Sequence, residues 1–284
     1  MRQPETGYVN LLDQAMSERM KANQKLESSP IRPSSASDCP QKIARKLTEY
    51  YKKADYGCAP LSPTVTMLLD HGTDIEQQLI LQFKQNGFEV LFQQQRLIFP
   101  KIESKVDAEF SQEVTGSIDF ILKHGDSTCV VDVKSVGGTK WTWDAKTKKY
   151  LGMKSVKALS ENAFWIEDVD MFLDELNDPF LTVNIAQLNY YSNSEFIKAL
   201  GINHAVIIQY AKVDSRMREL RFKPSEKLFE KSNQGFREAI DAAATGKPES
   251  APRFSRESVM CRYCRYNHIC PTTTPSTVTD SQEK

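Results

Sequence analysis

GSIDFILKHGDSTCVVDVKSV, from Gly116 to Val136, reads as two β-strands joined by a turn at HGDS. Gly116 to Lys123 alternates apolar and polar residues, and Thr128 to Val136 is rich in β-branched ones, so the stretch is expected to form a hairpin. Its charges sit where a core strand should be apolar. Asp119 lies between Ile118 and Phe120, while Asp132 and Lys134 follow Val130 and Val131 and share a face, because side chains two apart on a strand point the same way. Burying carboxylates costs free energy unless a cation pairs with them. Two interpretations stay open at this point: an Asp132–Lys134 ion pair at a sheet edge, or oxygen ligands for a divalent metal with the lysine beside a phosphate or an attacking water.

Working outward, 284 residues with 40% apolar content suffice for a substantial core. Lys+Arg and Asp+Glu both number 37, so no general basic surface argues for nucleic acid and any such contact must be local. The sequence shows no apolar run near ~18 residues and no charged-then-apolar leader, which leads us to expect no membrane span and a cytoplasmic protein. Six irregularly spaced cysteines then favour metal ligation or buried thiols over disulfides.

Residues 1–33 are expected to form an amphipathic helix and a Ser/Pro-rich linker. SASDCPQKIARKLTEYY predicts a capped helix with Cys39 at its start and Lys42 on the following turn. Residues 64–86 read as a long helix in which Glu76 flanks an apolar stripe of Ile75, Leu79 and Phe83, and EVLFQQQRLIFP as one strand. Beyond the hairpin, GGTKWTWDAKTKKYLGMKSVK interleaves lysines with aromatic residues. That pattern suits single-stranded nucleic acid, with Lys140, Trp141, Trp143, Lys148 and Lys149 as candidate contacts beside Lys42, although a charged loop anchored by its aromatics is the alternative. ENAFWIEDVDMFLDEL reads as a lid or packing helix. Residues 181–200 predict another helix, on which Gln187 and Tyr191 lie four apart on one face. Two strands and a helix closed by Gly246 follow, giving a mixed α/β fold.

CRYCRYNHIC places Cys261, Cys264 and Cys270 within ten residues, the strongest metal signal in the chain. His268 as fourth ligand would make a Zn2+ site; Cys39 would make an all-cysteine site for zinc or an iron–sulfur cluster. The tail, residues 272–284, is polar and expected to be disordered.

The order Glu76, Asp119, Asp132-Val133-Lys134, Gln187-x-x-x-Tyr191 resembles the PD-(D/E)XK nuclease superfamily, in its RecB-type branch. The cysteines resemble those of its iron–sulfur members, which include the CRISPR-associated adaptation exonucleases, and a phage-encoded relative fits as well as a cellular one. The usual C-P-R-K is Cys39-Pro40-Gln41-Lys42 here, and many relatives carry a histidine where this chain has Glu76. The resemblance implies a restriction-endonuclease-like α/β core over residues 34–271, a central mixed sheet flanked by helices. It implies Mg2+ or Mn2+ on Glu76, Asp119, Asp132 and the Val133 carbonyl, with Lys134, Gln187 and Tyr191 completing the catalytic set. A [4Fe–4S] cluster on Cys39, Cys261, Cys264 and Cys270 would tie the two ends of that core. The implied activity is a DNA exonuclease acting on single strands or free ends in replication, recombination or repair, alone or as the DNA-processing subunit of a complex with helicase, recombination or replication proteins.

Overall fold

The computed structural model describes residues 31–58, 63–136, 142–144, 149–151, 163–176, 178–212, 217–255 and 258–270. Its strands are β1 (Glu89–Leu91), β2 (Arg96–Ile98), β3 (Thr115–Ser117), β4 (Phe120–His124), β5 (Ser127–Val136), β6 (Thr142–Asp144), β7 (Lys149–Leu151), β8 (Ala163–Ile166), β9 (Ala205–Ala211) and β10 (Met217–Phe222). Its helices are α1 (Pro40–Lys52), α2 (Pro63–Gln85), α3 (Val169–Glu175), α4 (Pro179–Ser192), α5 (Glu195–Ala199), α6 (Glu226–Ala244) and α7 (Val259–Arg262).

The hairpin forms where the β-branched residues cluster. β4 pairs antiparallel with β5, His124 opposite Ser127, and Gly125 in the two-residue loop takes φ +58°, the left-handed conformation such tight turns require. These strands lie inside a six-stranded sheet ordered β1-β4-β5-β9-β10-β8, in which β5–β9 and β10–β8 are parallel and the other pairs antiparallel. The expected central mixed sheet flanked by helices is therefore present.

Strand alternation divides the core between the two faces of this sheet. Phe120, Val131, Val206 and Ile208 pack with Ile75, Leu79 and Ile80 of α2. Ile121, Val130, Ala205 and Ile207 face the other way, into a larger core that includes Leu47 of α1, Ile185 and Leu188 of α4 and Phe236 of α6. Each large side chain buried this way stabilises by roughly 1.5–3 kcal/mol. Asp132 and Lys134 share the parity of Val130 and so face α4.

Several local expectations change. EVLFQQQRLIFP is two strands in different sheets: β1 joins the main sheet and β2 pairs with β3, because Phe92 and Gln94 turn left-handed (φ +49° and +50°) and break the run. Gly116 likewise belongs to β3, separated from β4 by Ile118 and Asp119. ENAFWIEDVDMFLDEL is no single helix: β8 joins the sheet beside β10, and Asp168 then caps α3 by accepting a hydrogen bond from Met171 N. The helix expected over 181–200 starts earlier, where Asp178 caps α4 with Pro179 at its first turn. It stops at Ser192, and Ser194 caps a separate α5. Ile31 and Pro33 are buried. The expected N-terminal helix over 1–30 and the tail over 272–284 lie outside the described residues. Among the described residues no helix is long and apolar enough to cross a membrane.

Candidate active site

The break between β3 and β4 places Asp119 at the head of β4, where its Oδ2 accepts a hydrogen bond from Val133 N of β5 at 2.7 Å. One residue back on β5, Asp132 is buried at 2% exposure, so its charge has little access to water. Lys134 Nζ donates to Asp132 Oδ1 at 3.0 Å and to Gln187 Oε1 at 3.3 Å, and Gln187 Nε2 lies 3.5 Å from the same Asp132 oxygen. Asp132 Oδ2, also buried, has no hydrogen-bond partner among the described residues. Glu76, carried in from α2 and buried at 8% exposure, accepts from Gln94 Nε2 at 2.7 Å.

Three carboxylates and one ammonium thus share a poorly hydrated space. Burial raises the Asp119 carboxyl to about 7, reinforced by the negative charges of Asp132 and Glu76 and opposed by the Val133 N–H and Lys134. Burial also raises Asp132, while Lys134 pulls the other way. Glu76 is raised by burial and by Asp132, against the Gln94 hydrogen bond. Burial pulls Lys134 down, but Asp132, Asp119 and Glu76 outweigh it and the ammonium is stabilised. Negative charge is in excess, which is what a divalent cation relieves, and the donor set is the hard oxygen type that Mg2+ and Mn2+ prefer. As placed, no three His, Cys, Asp or Glu side chains among the described residues converge to hold a metal ion. Asp119 Oδ2 is held by a backbone N–H, Asp132 Oδ1 by the lysine and Glu76 Oε1 by Gln94, so these contacts fix where each carboxylate sits.

The charge imbalance has a measurable consequence. A carboxyl whose folded pKa is about 7 against 3.8 unfolded favours folding below the unfolded pKa, and that contribution is lost as pH rises through the folded pKa. In EDTA the wild-type melting temperature should fall between about pH 4 and pH 7, a loss on the order of a few kcal/mol. Asp119→Asn should flatten the profile, and Mg2+ should flatten it in the wild type. Identical slopes in wild type and variant would place the titration elsewhere.

Tyr191 completes this side. Burial, Asp132 and Asp119 raise its hydroxyl pKa, opposed by a hydrogen bond to Gln187 and by the charge of Arg32. It also explains Gly116: a Cβ there would come within 2.8 Å of the Tyr191 hydroxyl and 2.9 Å of Pro33 Cδ. Two contributors escaped the sequence analysis, Arg32 and Gln94. The only hint of Gln94 was the polar triplet Gln93-Gln94-Gln95 inside an otherwise strand-like run.

Cys39 stands at the start of α1, facing the C-terminal segment. Cys39, Cys261, Cys264 and Cys270 line one pocket with Lys42 and Arg45. Burial and the other three cysteines push the Cys261 thiol up, and burial dominates at Cys264. His268 is outside this lining. Its Nε2 lies 2.9 Å from the Tyr56 carbonyl oxygen, so the structure brings Cys39 rather than His268 to the three C-terminal cysteines. Cys58 Sγ sits 3.4 Å from the Arg265 carbonyl, and Cys129 is half-buried in β5 with its thiol pushed up to about 12 by burial. Lys42 pairs with Asp38 at 2.9 Å beside the cysteines rather than among the carboxylates. Of the other expected DNA contacts, Lys140, Trp141 and Lys148 lie outside the described residues. Trp143 and Lys149 have only their backbones described, in the β6–β7 pair.

A family model for the PD-(D/E)XK nuclease superfamily matches residues 10–271. None of the curated proteins matches. Among solved structures, the chain is similar to "Crystal structure of SSO0001", at 14% identity over 95% of this chain and 100% of that one, with a TM-score of 0.48. It is similar also to "Crystal Structure of LHK-Exo in complex with dAMP", at 11% identity over 77% of this chain and 89% of that one, with a TM-score of 0.38. At these values neither likeness bears on the chemistry.

Proposed function

The chain belongs to the PD-(D/E)XK nuclease superfamily, and on that footing we propose a metal-dependent DNA exonuclease that acts on single-stranded DNA or DNA ends in replication, recombination or repair. The buried, unpartnered Asp132 Oδ2 beside two further carboxylates carries the proposal, since a site with excess negative charge next to a lysine suits a cation together with a phosphate.

Asp119, Asp132, the Val133 carbonyl and Glu76 would hold Mg2+ or Mn2+. The chemistry such an ion supplies when bound is polarisation of the scissile phosphate and a lowered pKa for a bound water. Lys134, kept cationic by its acidic neighbours, stabilises charge developing on the phosphate oxygens and orients the attacking water. Gln187 holds Lys134 from the α4 side, and Tyr191, whose hydroxyl stays protonated, remains a hydrogen-bond donor toward the strand. Cys39, Cys261, Cys264 and Cys270 would hold a [4Fe–4S] cluster of structural role, and the shared lining of the four thiols supports that assignment.

Digestion of end-labelled single-stranded and duplex DNA, with Mg2+, Mn2+ or EDTA, tests the activity. Metal-dependent loss of nucleotides from an end, with closed circular DNA left intact, is expected. Cutting of circles would replace exonuclease by endonuclease action, and inertness with both metals would remove the assignment.

A further inference from the structure

The loop between β1 and β2 is built around two residues in an unfavourable conformation. Phe92 and Gln94 are both left-handed although neither is glycine, and a bulky residue adopts φ near +50° only where its surroundings compel it. Those surroundings are the site. Gln94 N donates to the Asp119 carbonyl oxygen at 2.9 Å, and the neighbouring Gln95 carbonyl accepts from Ile118 N at 3.1 Å, so the loop is pinned on both sides of Asp119. From that fixed backbone the Gln94 carboxamide reaches the α2 helix and donates to Glu76 Oε1 at 2.7 Å. The Phe92 ring rests edge-on against Phe196 of α5, centroids 5.2 Å apart, which holds the start of the loop.

We infer that Gln94 is a positioning residue: by holding the Glu76 carboxylate to the same loop that grips Asp119, it presets the distance between these carboxylates and so sets the divalent-cation affinity of the site. Glu76 and Asp119 come from different elements, a helix and a strand head, and no backbone ladder joins α2 to β4. Apolar packing of Ile75 and Leu79 with Phe120 brings the two elements together, and the Gln94 bridge adds the polar contact that orients Glu76. Hydrogen-bond partners behind a ligating carboxylate commonly tune metal affinity by 10–100-fold. The inference rests on the proposed metal-dependent activity.

Gln94→Gly is the informative variant, because it removes the carboxamide, keeps the N–H that binds the Asp119 carbonyl and relieves the left-handed backbone. Its melting temperature in EDTA should equal or exceed that of the wild type. Its Mn2+ affinity, read by isothermal calorimetry, should weaken about tenfold or more, and the Mg2+ concentration for half-maximal rate should rise by a similar factor with kcat restored at saturation. Wild-type Mn2+ affinity in Gln94→Gly overturns the inference, and so does a drop in melting temperature in EDTA, which would mark the loop as merely structural. Asp132→Asn measured alongside separates the two levels. If it too binds Mn2+ like the wild type, the metal site itself is misassigned and the inference falls with it; if it loses Mn2+ while Gln94→Gly does not, only the inference falls.

Discussion

Asp132→Asn should abolish nuclease activity, by about 10³-fold or more, while leaving the metal-free protein at least as stable as the wild type. The two halves of this result have one cause. Asp132 is buried, with one oxygen on Lys134 and the other without a hydrogen-bond partner among the described residues, and burial drives its pKa up, so in the absence of a cation the ionised group opposes folding. Asparagine keeps an oxygen for the Lys134 ammonium and discards the charge. Asp119 and Glu76 remain beside the lysine, so it is not left without a counter-charge. What the variant loses is the negative charge that divalent-cation binding and phosphate polarisation require. Rates on end-labelled DNA together with melting in EDTA check both halves. Retained activity would remove Asp132 from the catalytic set, and a large fall in metal-free stability would show the carboxylate to be structural.

Cys261→Ser should have a comparable effect on the protein rather than on the reaction. The four cysteines lie where the start of α1 meets the C-terminal segment, whose described residues form α7 and short turns. Polar contacts already join the two: Gln41 N donates to the Pro252 carbonyl at 3.0 Å, Gln41 Nε2 to the Glu249 carbonyl at 3.0 Å, and the Tyr266 hydroxyl to Glu49 at 2.5 Å. These bonds are few, and each contributes only about 0.5–1.5 kcal/mol net, more where a charge is involved. Four thiols that repel one another when ionised need a cation-bearing group to become an asset. The expected outcome is loss of the iron–sulfur absorption, lower soluble yield, and protease cleavage first within residues 253–270. Cys129→Ser, in a strand and away from the pocket, should keep its iron. A colourless, zinc-loaded wild type would replace the cluster by zinc on the same four cysteines, and a Cys261→Ser protein with full iron content would remove Cys261 from the ligand set.

The parts of this site legible in the sequence are those governed by short periods. A two-residue repeat places Asp132 and Lys134 on one face whatever packs against them, and a four-residue repeat does the same for Gln187 and Tyr191. Gln94 was illegible for the same reason. Its position depends on a backbone turning left-handed at a residue that does not favour it, and the run Leu91-Phe92-Gln93-Gln94-Gln95-Arg96-Leu97 has an ordinary strand-like composition. The boundary errors at β8 and α4 also follow from local chemistry. Asp168, Asp178 and Ser194 are all cap-forming residues, and which of several acidic or hydroxyl residues caps a helix depends on where the following turn packs.

By itself, then, the sequence determined the β4–β5 turn and its two strands, the helices α1, α2 and α6, and the placing of Asp132 and Lys134 on a common face. These follow from side-chain periodicity and residue chemistry, which act over a few residues. Only the tertiary structure decided that Gln94 bonds both Glu76 and the Asp119 backbone, that Asp132 Oδ2 has no hydrogen-bond partner among the described residues, and that Cys39 and not His268 lines one pocket with the other three cysteines. Such pairings lie between 18 and more than 200 positions apart in the chain, and burial of the apolar faces of α2, α4 and α6 on the sheet selects among them. The excess negative charge at the site arises from that same burial, because a carboxylate's cost depends on how much water the fold leaves around it.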